Sequence, residues 1–183
     1  SMLRLFEYSD YSDWAAVSSR MAPLFTKAAT LSERSPVRQE ASRIAGLSTD
    51  PLVRAQQALK IVQQQVRYVY VGLNGGNFTP ATADETWERR YGDCKGKTAL
   101  LLALLQELGV DAQPVLANNQ GNDDGLNERL PSPLVFDHVL VQATIGGKRY
   151  WLDGTLPPNY LPSEVPLMPY RWILPVAHSG ASL

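Results

Sequence analysis

Gly92-Asp93-Cys94-Lys95-Gly96-Lys97-Thr98-Ala99-Leu100-Leu101-Leu102-Ala103-Leu104-Leu105 is the stretch around which the rest of the chain arranges itself. From residue 95 to 108, apolar side chains occupy most of the circumference of a helical wheel, so the helix must be central and covered on most sides. Gly109 ends it. Asp93 is a good N-cap, which places Cys94 in the first turn. There the unpaired N–H groups and partial positive charge of a helix start are concentrated. Both favour a thiolate, the nucleophilic form of cysteine, and the same N–H groups can receive an oxyanion. Taken alone, a single cysteine opening a core helix is more often a small buried hydrophobe.

Moving towards the C-terminus, Asp111–Ala117 reads as a strand and the polar, Gly/Asn/Asp-rich residues 118–130 as an exposed loop. Asp123-Asp124 does not fit a calcium loop, because the spacing is not that of an EF-hand. Residues 136–145 and 148–153 are β-prone runs separated by Gly146-Gly147, a two-residue hairpin signal. If the turn has two residues, Ile145 faces Lys148 and Leu140 faces Asp153. His138 and Asp153 are then diagonal neighbours on one face, since side chains alternate with period two. Such neighbours lie about 7–8 Å apart at the backbone, within reach of an imidazole–carboxylate hydrogen bond. A carboxylate so placed fixes the tautomer of the ring and stabilises its charged form. A slip of one residue would send the two side chains to opposite faces. The other histidine, His178, lies in the Pro-rich C-terminal segment and reads as a mobile surface residue. Six of the 13 prolines follow Thr155, and an extended tail over the domain surface is expected there, frayed near residues 179–183.

Towards the N-terminus the chain reads helical. Ser12 can cap a segment with Trp14, Val17, Met21, Leu24 and Phe25 at helical spacing. Ser35-Pro36 and Asp50-Pro51 are cap-plus-proline starts. Leu52, Ala55, Leu59, Val62 and Val66 form one stripe after the second start, with Gln57, Lys60, Gln63 and Gln64 largely off it. Tyr68-Val69-Tyr70-Val71 is β-prone, Asn74-Gly75-Gly76-Asn77 a turn, and Thr82-x-x-Glu85 a capping box opening a short helix with Trp87 on its buried face. With helices first and strands later, the order predicts an α+β fold rather than a doubly wound sheet. Residues 1–66 are read as the helical N-terminal part of the same domain, 67–156 as its core and 157–183 as the tail.

The composition bounds the possibilities. At 183 residues the chain fits one domain, and 44% hydrophobic with 19% charged residues is an ordinary globular balance. A formal net charge of −1 with scattered basic residues gives no nucleic-acid footprint. No run of about 18 apolar residues suggests a membrane span. One cysteine permits no internal disulfide, and with two histidines it makes a protein-only zinc site an unlikely design. No cofactor is called for, and an oligomeric state is not indicated. No signal-peptide pattern opens the sequence. Ser1-Met2 resembles a cloning remnant, so the chain is expected to be an excised domain whose parent carried any targeting sequence.

Tyr91-Gly92-Asp93-Cys94-Lys95, Phe136-Asp137-His138-Val139 and Tyr150-Trp151-Leu152-Asp153-Gly154-Thr155 together resemble the bacterial branch of the transglutaminase-like superfamily. The order Cys…His…Asp, the Leu-rich helix ending in Leu-Gly-Val, Leu130-Pro131-Ser132 before the His strand and Asp13-Trp14 near the start are similar too. The likeness is dense over residues 68–156 and thinner over 10–67. It implies a papain-like α+β fold with the Cys helix against an antiparallel sheet. It also implies Cys94 as nucleophile, His138 as base and Asp153 as the residue that orients the base. Gly154 and Gly96 depart from the branch, which usually has Pro and often Asp there. For the oxyanion, the Cys94 N–H is one donor, and Asn77, Tyr70 and Trp87 are candidates for a second. The implied activity is thiol-dependent acyl transfer on a peptide or carboxamide, as a peptidase, an amidase or a transglutaminase, with hydrolysis favoured slightly. The alternative is a non-catalytic binding or scaffolding module of a larger envelope protein. A periplasmic or cell-envelope location follows only from the resemblance.

Overall fold

A computed structural model describes residues 6–71 and 78–183. Three helices come first, α1 (Trp14–Ala29), α2 (Pro36–Leu47) and α3 (Pro51–Gln65). Ser35 and Asp50 cap α2 and α3 as expected, each followed by Pro at the first turn. The cap of α1 is Asp13 rather than Ser12. Its Oδ1 accepts the Ala16 N–H at 2.7 Å, so a carboxylate three residues back holds the bond that a serine one residue earlier could not reach.

The strand β1 (Arg67–Tyr68), the short helix α4 (Ala83–Arg89), the strand β2 (Tyr91–Gly92) and the helix α5 (Cys94–Glu107) follow. The capping box of Thr82 and Glu85 is complete. Arg90 turns the chain from α4 into β2 with φ of 57°, a left-handed conformation uncommon outside glycine. Its guanidinium lies over the Trp87 ring at 3.7 Å. The β-prone run 68–71 yields only two paired residues, Arg67 opposite Tyr91 and Tyr68 opposite Gly92, in parallel. The partner cannot be longer, because the chain leaves β2 to become the cap of α5.

Beyond α5 lie β3 (Asp111–Ala117), β4 (His138–Ile145), β5 (Lys148–Leu152) and β6 (Leu174–Pro175), in the sheet order β5-β4-β3-β6. The β4–β5 register is the one that the two-residue turn dictates, from Ile145 opposite Lys148 to Val141 opposite Leu152. Gly146 and Gly147 have φ of 59° and 77°, the pair of positive values that a type I′ hairpin turn requires. The tail does more than lie over the surface. Leu174 and Pro175 pair with β3 as an edge strand, Ser18 Oγ donates to Pro175 O at 2.7 Å, and Leu183 packs against the core. His178 Nε2 lies 2.7 Å from Thr26 Oγ1, which ties it to α1.

The central position of α5 follows from its sequence. Leu100, Leu101, Leu104 and Leu105 are fully buried, and α1, α2 and α3 cover one side while β3 and β4 cover the other. Burial of each such leucine contributes about 1.5–3 kcal/mol relative to exposure. Val139, Val141 and Ala143 of β4 face α5 within this core. Thr98 Oγ1 donates to the Val139 carbonyl at 3.2 Å and fixes the helix against the strand one residue past His138. No helix among the described residues is long and apolar enough to cross a membrane.

Candidate active site

Asp93 caps α5 through Oδ1, which accepts the Gly96 N–H at 3.0 Å, while Oδ2 pairs with the buried Lys95 ammonium. Cys94 therefore starts the helix, with 2% of its surface exposed. The helix packs on β4, which brings Cys94 to the end of the strand where His138 begins.

His138 arrives there because the residues before it are held individually. Phe136 is fully buried, edge-on to Trp14 with ring centroids 5.9 Å apart. The Asp137 N–H donates to Ala117 O at 3.1 Å, and its Oδ1 accepts the Asn119 N–H at 2.7 Å. The aromatic and acidic flanks of the histidine are thus anchors on either side of the strand entry.

Asp153 follows directly after β5. Its Oδ2 lies 2.7 Å from His138 Nε2, and its Oδ1 accepts both the N–H and the hydroxyl of Thr155, at 2.9 and 2.7 Å. The diagonal relation read from the hairpin is realised as a direct hydrogen bond. With Nε2 turned to Asp153, Nδ1 is the ring nitrogen left for Cys94.

The electrostatics follow the contacts. Burial works to lower the His138 pKa, but hydrogen bonds to Asp153 and Cys94 and the charges of both outweigh it and push the value up to about 10. Burial works to raise Asp153, but the hydrogen bond and charge of His138 and the two Thr155 donors hold it below the ordinary carboxylate value. Both shifts favour the charged imidazolium–carboxylate pair.

Three residues of this neighbourhood were not singled out by sequence patterns. Tyr68 is placed beside Cys94 by the β1–β2 pairing, where Arg67 N–H donates to Arg90 O at 2.9 Å and Val69 N–H to Gly92 O at 3.0 Å. Burial, followed by the charges of Cys94 and Asp153, pushes its phenol up to about 12. Lys97 is buried on α5, donates to the Val66 carbonyl just before β1, and has a pKa pushed down by burial to about 8. Gln63 is turned inwards despite its place off the apolar stripe, and its Nε2 donates to the Asp153 carbonyl at 3.1 Å. No local sequence signal marks any of the three.

Of the candidate oxyanion partners, Trp87 is buried beneath Arg90 in the core, Tyr70 is 70% exposed, and Asn77 lies outside the described residues. The two glycine departures have local reasons. A Cβ on Gly154 would lie 2.9 Å from Val62 Cγ1 on α3, and one on Gly96 would lie 2.9 Å from Thr86 Oγ1. Helix α3 and α4 come too close for a side chain at either place. Asp123 has a structural role. Its Oδ2 accepts the Arg171 and Trp172 N–H groups at 2.7 and 3.3 Å, so it tethers the tail.

The mixed α/antiparallel architecture, with a cysteine-started central helix against a strand bearing histidine, defines a transglutaminase-like, papain-like fold. The sequence pattern of the transglutaminase-like superfamily matches residues 38–173, and the chain belongs to that superfamily. Among solved structures it is similar to a protein of Parabacteroides distasonis provisionally described as a protease, with 16% identity and a TM-score of 0.66 over 94% of this chain and 31% of that one. A protein of Cytophaga hutchinsonii provisionally described as a cysteine protease has 19% identity and a TM-score of 0.44, over 72% of this chain and 42% of that one. The chain thus spans about a third of the length of the first and well under half of the second. No curated protein matches it.

Proposed function

We propose that this chain is a cysteine-dependent acyl-transfer domain in which Cys94 is the nucleophile, His138 the proton carrier and Asp153 the residue that orients it. The observation that carries this reading is the single imidazole shared by a helix-start cysteine and a buried carboxylate 2.7 Å away. Superfamily membership supports a cysteine-dependent catalytic role in general.

In the reaction, Cys94 Sγ attacks the carbonyl carbon of a peptide or carboxamide, and the C=O electron pair moves onto oxygen. The Cys94 N–H at the helix start is one donor for that oxyanion. Collapse breaks the C–N bond, and His138 gives its proton to the departing nitrogen. The thioester is then resolved by water or an amine, which surrenders a proton to His138 as the C–S bond breaks. The raised pKa of His138 makes it first an acid and only afterwards the base that its position suggested. Water is the favoured acceptor, in keeping with the protease description of the Parabacteroides protein.

Iodoacetamide labelling across pH tests the nucleophile directly, since Cys94 is the only thiol. It should label at and below neutral pH, and His138→Ala should slow the labelling. Labelling that His138→Ala leaves unchanged would overturn the assignment. Hydrolysis of a mixed peptide pool should disappear in Cys94→Ala.

A further inference from the structure

The alternation that turns Val139 and Val141 towards α5 turns Leu140 to the other face of the sheet. On that face lies a cavity of about 300 Å³, floored by Leu140 and Trp151, walled by Leu59 and Gln63, and roofed by the segment from Leu156 to Tyr170. The roof is tied down at three points. Ser163 and Trp151 exchange backbone hydrogen bonds at 2.7 and 3.2 Å, Lys148 pairs with Glu164 at 2.9 Å, and the Tyr170 hydroxyl donates to Asn119 Oδ1 at 2.6 Å. Val165 and Leu167 line the cavity and are still 69% and 56% exposed, so its mouth is apolar and open.

This space is separate from the thiol. Neither Cys94 nor His138 lines it. Asp153 touches it, but both carboxylate oxygens are engaged elsewhere, Oδ2 with His138 and Oδ1 with the N–H and hydroxyl of Thr155. Its chemistry must therefore be read from its own lining.

That lining is mostly leucine, valine, methionine and aromatic side chains, so an apolar body gains by leaving water for it. No lysine, arginine or histidine lines the cavity. An anion would meet no counter-charge and would lie beside Asp153. A cation would leave water with no free carboxylate to receive it. These walls select a neutral occupant. An apolar cavity of about 150 Å³ holds one benzene ring, so about twice that volume admits a fused pair of rings.

One polar atom sets the remaining requirement. Gln63 is nine-tenths buried, and its Oε1 accepts no hydrogen bond. The amide cannot relieve this by turning over, because its Nε2 donates to the Asp153 carbonyl at 3.1 Å. A buried acceptor left unpaired is costly, and a donor on the occupant would remove the cost. We infer that the cavity is a binding site, separate from Cys94, for a neutral molecule with an apolar body of one or two rings and an N–H or O–H group that donates to Gln63 Oε1. The inference does not depend on the acyl-transfer reading.

Indole, benzofuran and indole-5-carboxylate are suitable probes. All three share a fused-ring body, but benzofuran lacks the donor and the third carries a negative charge. Followed through the Trp151 indole resonance, indole should bind saturably with a Kd below about 1 mM. Benzofuran should bind about 3–10-fold more weakly, and indole-5-carboxylate about tenfold more weakly or worse. A Trp151 resonance that indole leaves unmoved overturns the site. Benzofuran or the carboxylate binding as tightly as indole overturns the ligand class. Gln63→Leu should bring indole down to the affinity of benzofuran, and a folded variant that keeps the gap overturns the pairing to Oε1. Cys94→Ala should bind indole as the wild-type protein does. A loss there would put the indole at the thiol and overturn a separate site.

Discussion

The β4–β5 hairpin and the β1–β2 pair both deliver a side chain to Cys94, by opposite routes. The hairpin is local. Two glycines with positive φ set its turn, the turn sets the register, and the register sets Asp153 against His138. The β1–β2 pair joins strands 24 residues apart at Arg67 and Tyr91, has two residues a side, and depends on α3, α4 and α5 to hold its ends. The first is fixed by its own backbone, while the second is held in place by its surroundings. Breaking them should therefore give different signatures.

The largest effect belongs to the hairpin. Asp153→Asn keeps the shape of the side chain but removes the charge that holds the His138 ring and its proton. We expect turnover to fall about 10²–10⁴-fold, the range of general acid–base contributions, with Cys94 still alkylated by iodoacetamide. Single-turnover acylation kinetics would check this, and a loss under tenfold would mean that the hairpin geometry is idle. Gly154→Ala probes the exit of the hairpin. Its Cβ would fall 2.9 Å from Val62 Cγ1, and overpacking of this kind costs about 1–3 kcal/mol. Chemical denaturation should register that loss, and an unchanged midpoint would mean that α3 moves aside freely.

The same contrast explains how much was legible in sequence. The core helix, its Asp93 cap and the hairpin register that sets His138 beside Asp153 follow from periods and turn chemistry that act over a few residues, whereas the joining of Cys94 to that pair is implied only by the resemblance to the superfamily. Ser12 and Asp13 are competent acceptors one residue apart, and Asp13 supplies the cap of α1. The inward turn of Gln63, the burial of Lys97 and the placing of Tyr68 beside Cys94 come from packing between elements distant in sequence, and no local pattern encodes them. The edge strand at Leu174 was hidden for a related reason. Two residues, the second a proline, carry no alternation, and only the free edge of β3 makes them a strand.

An intermediate effect should separate the two regions by pH. His138 titrates at 6.5 when free and about 10 when folded, so its stabilisation is complete below pH 6.5 and fades as pH rises to about 10. Lys97 shifts the other way, from 10.5 to about 8. It destabilises the fold while protonated, and stability is regained as pH rises from 8 to 10.5. The two slopes oppose each other between pH 8 and 10. Lys97→Met removes the compensating one, so its unfolding free energy should fall more steeply than that of the wild-type protein over this interval, with parallel curves from pH 6.5 to 8. Denaturant titrations at each pH would test this, and identical slopes throughout would mean that the Lys97 ammonium is not held in low dielectric behind β1.

The smallest effect is expected from Tyr68→Phe. The pairing of β1 uses backbone groups at Arg67, Val69, Arg90 and Gly92, so removal of a hydroxyl leaves the strand in place. Burial and the charges of Cys94 and Asp153 keep the phenol protonated up to about 12, so it offers a neutral donor throughout the range in which the protein is folded. A neutral hydrogen bond contributes about 0.5–1.5 kcal/mol, and kcat/KM should drop by no more than about tenfold. The alkaline limb of the pH–rate profile should stay where it was, because His138 rather than Tyr68 loses its proton near pH 10. A limb displaced in Tyr68→Phe would mean that β1 contributes a titrating group to the reaction, and would make the surrounding-held pair an equal partner of the hairpin.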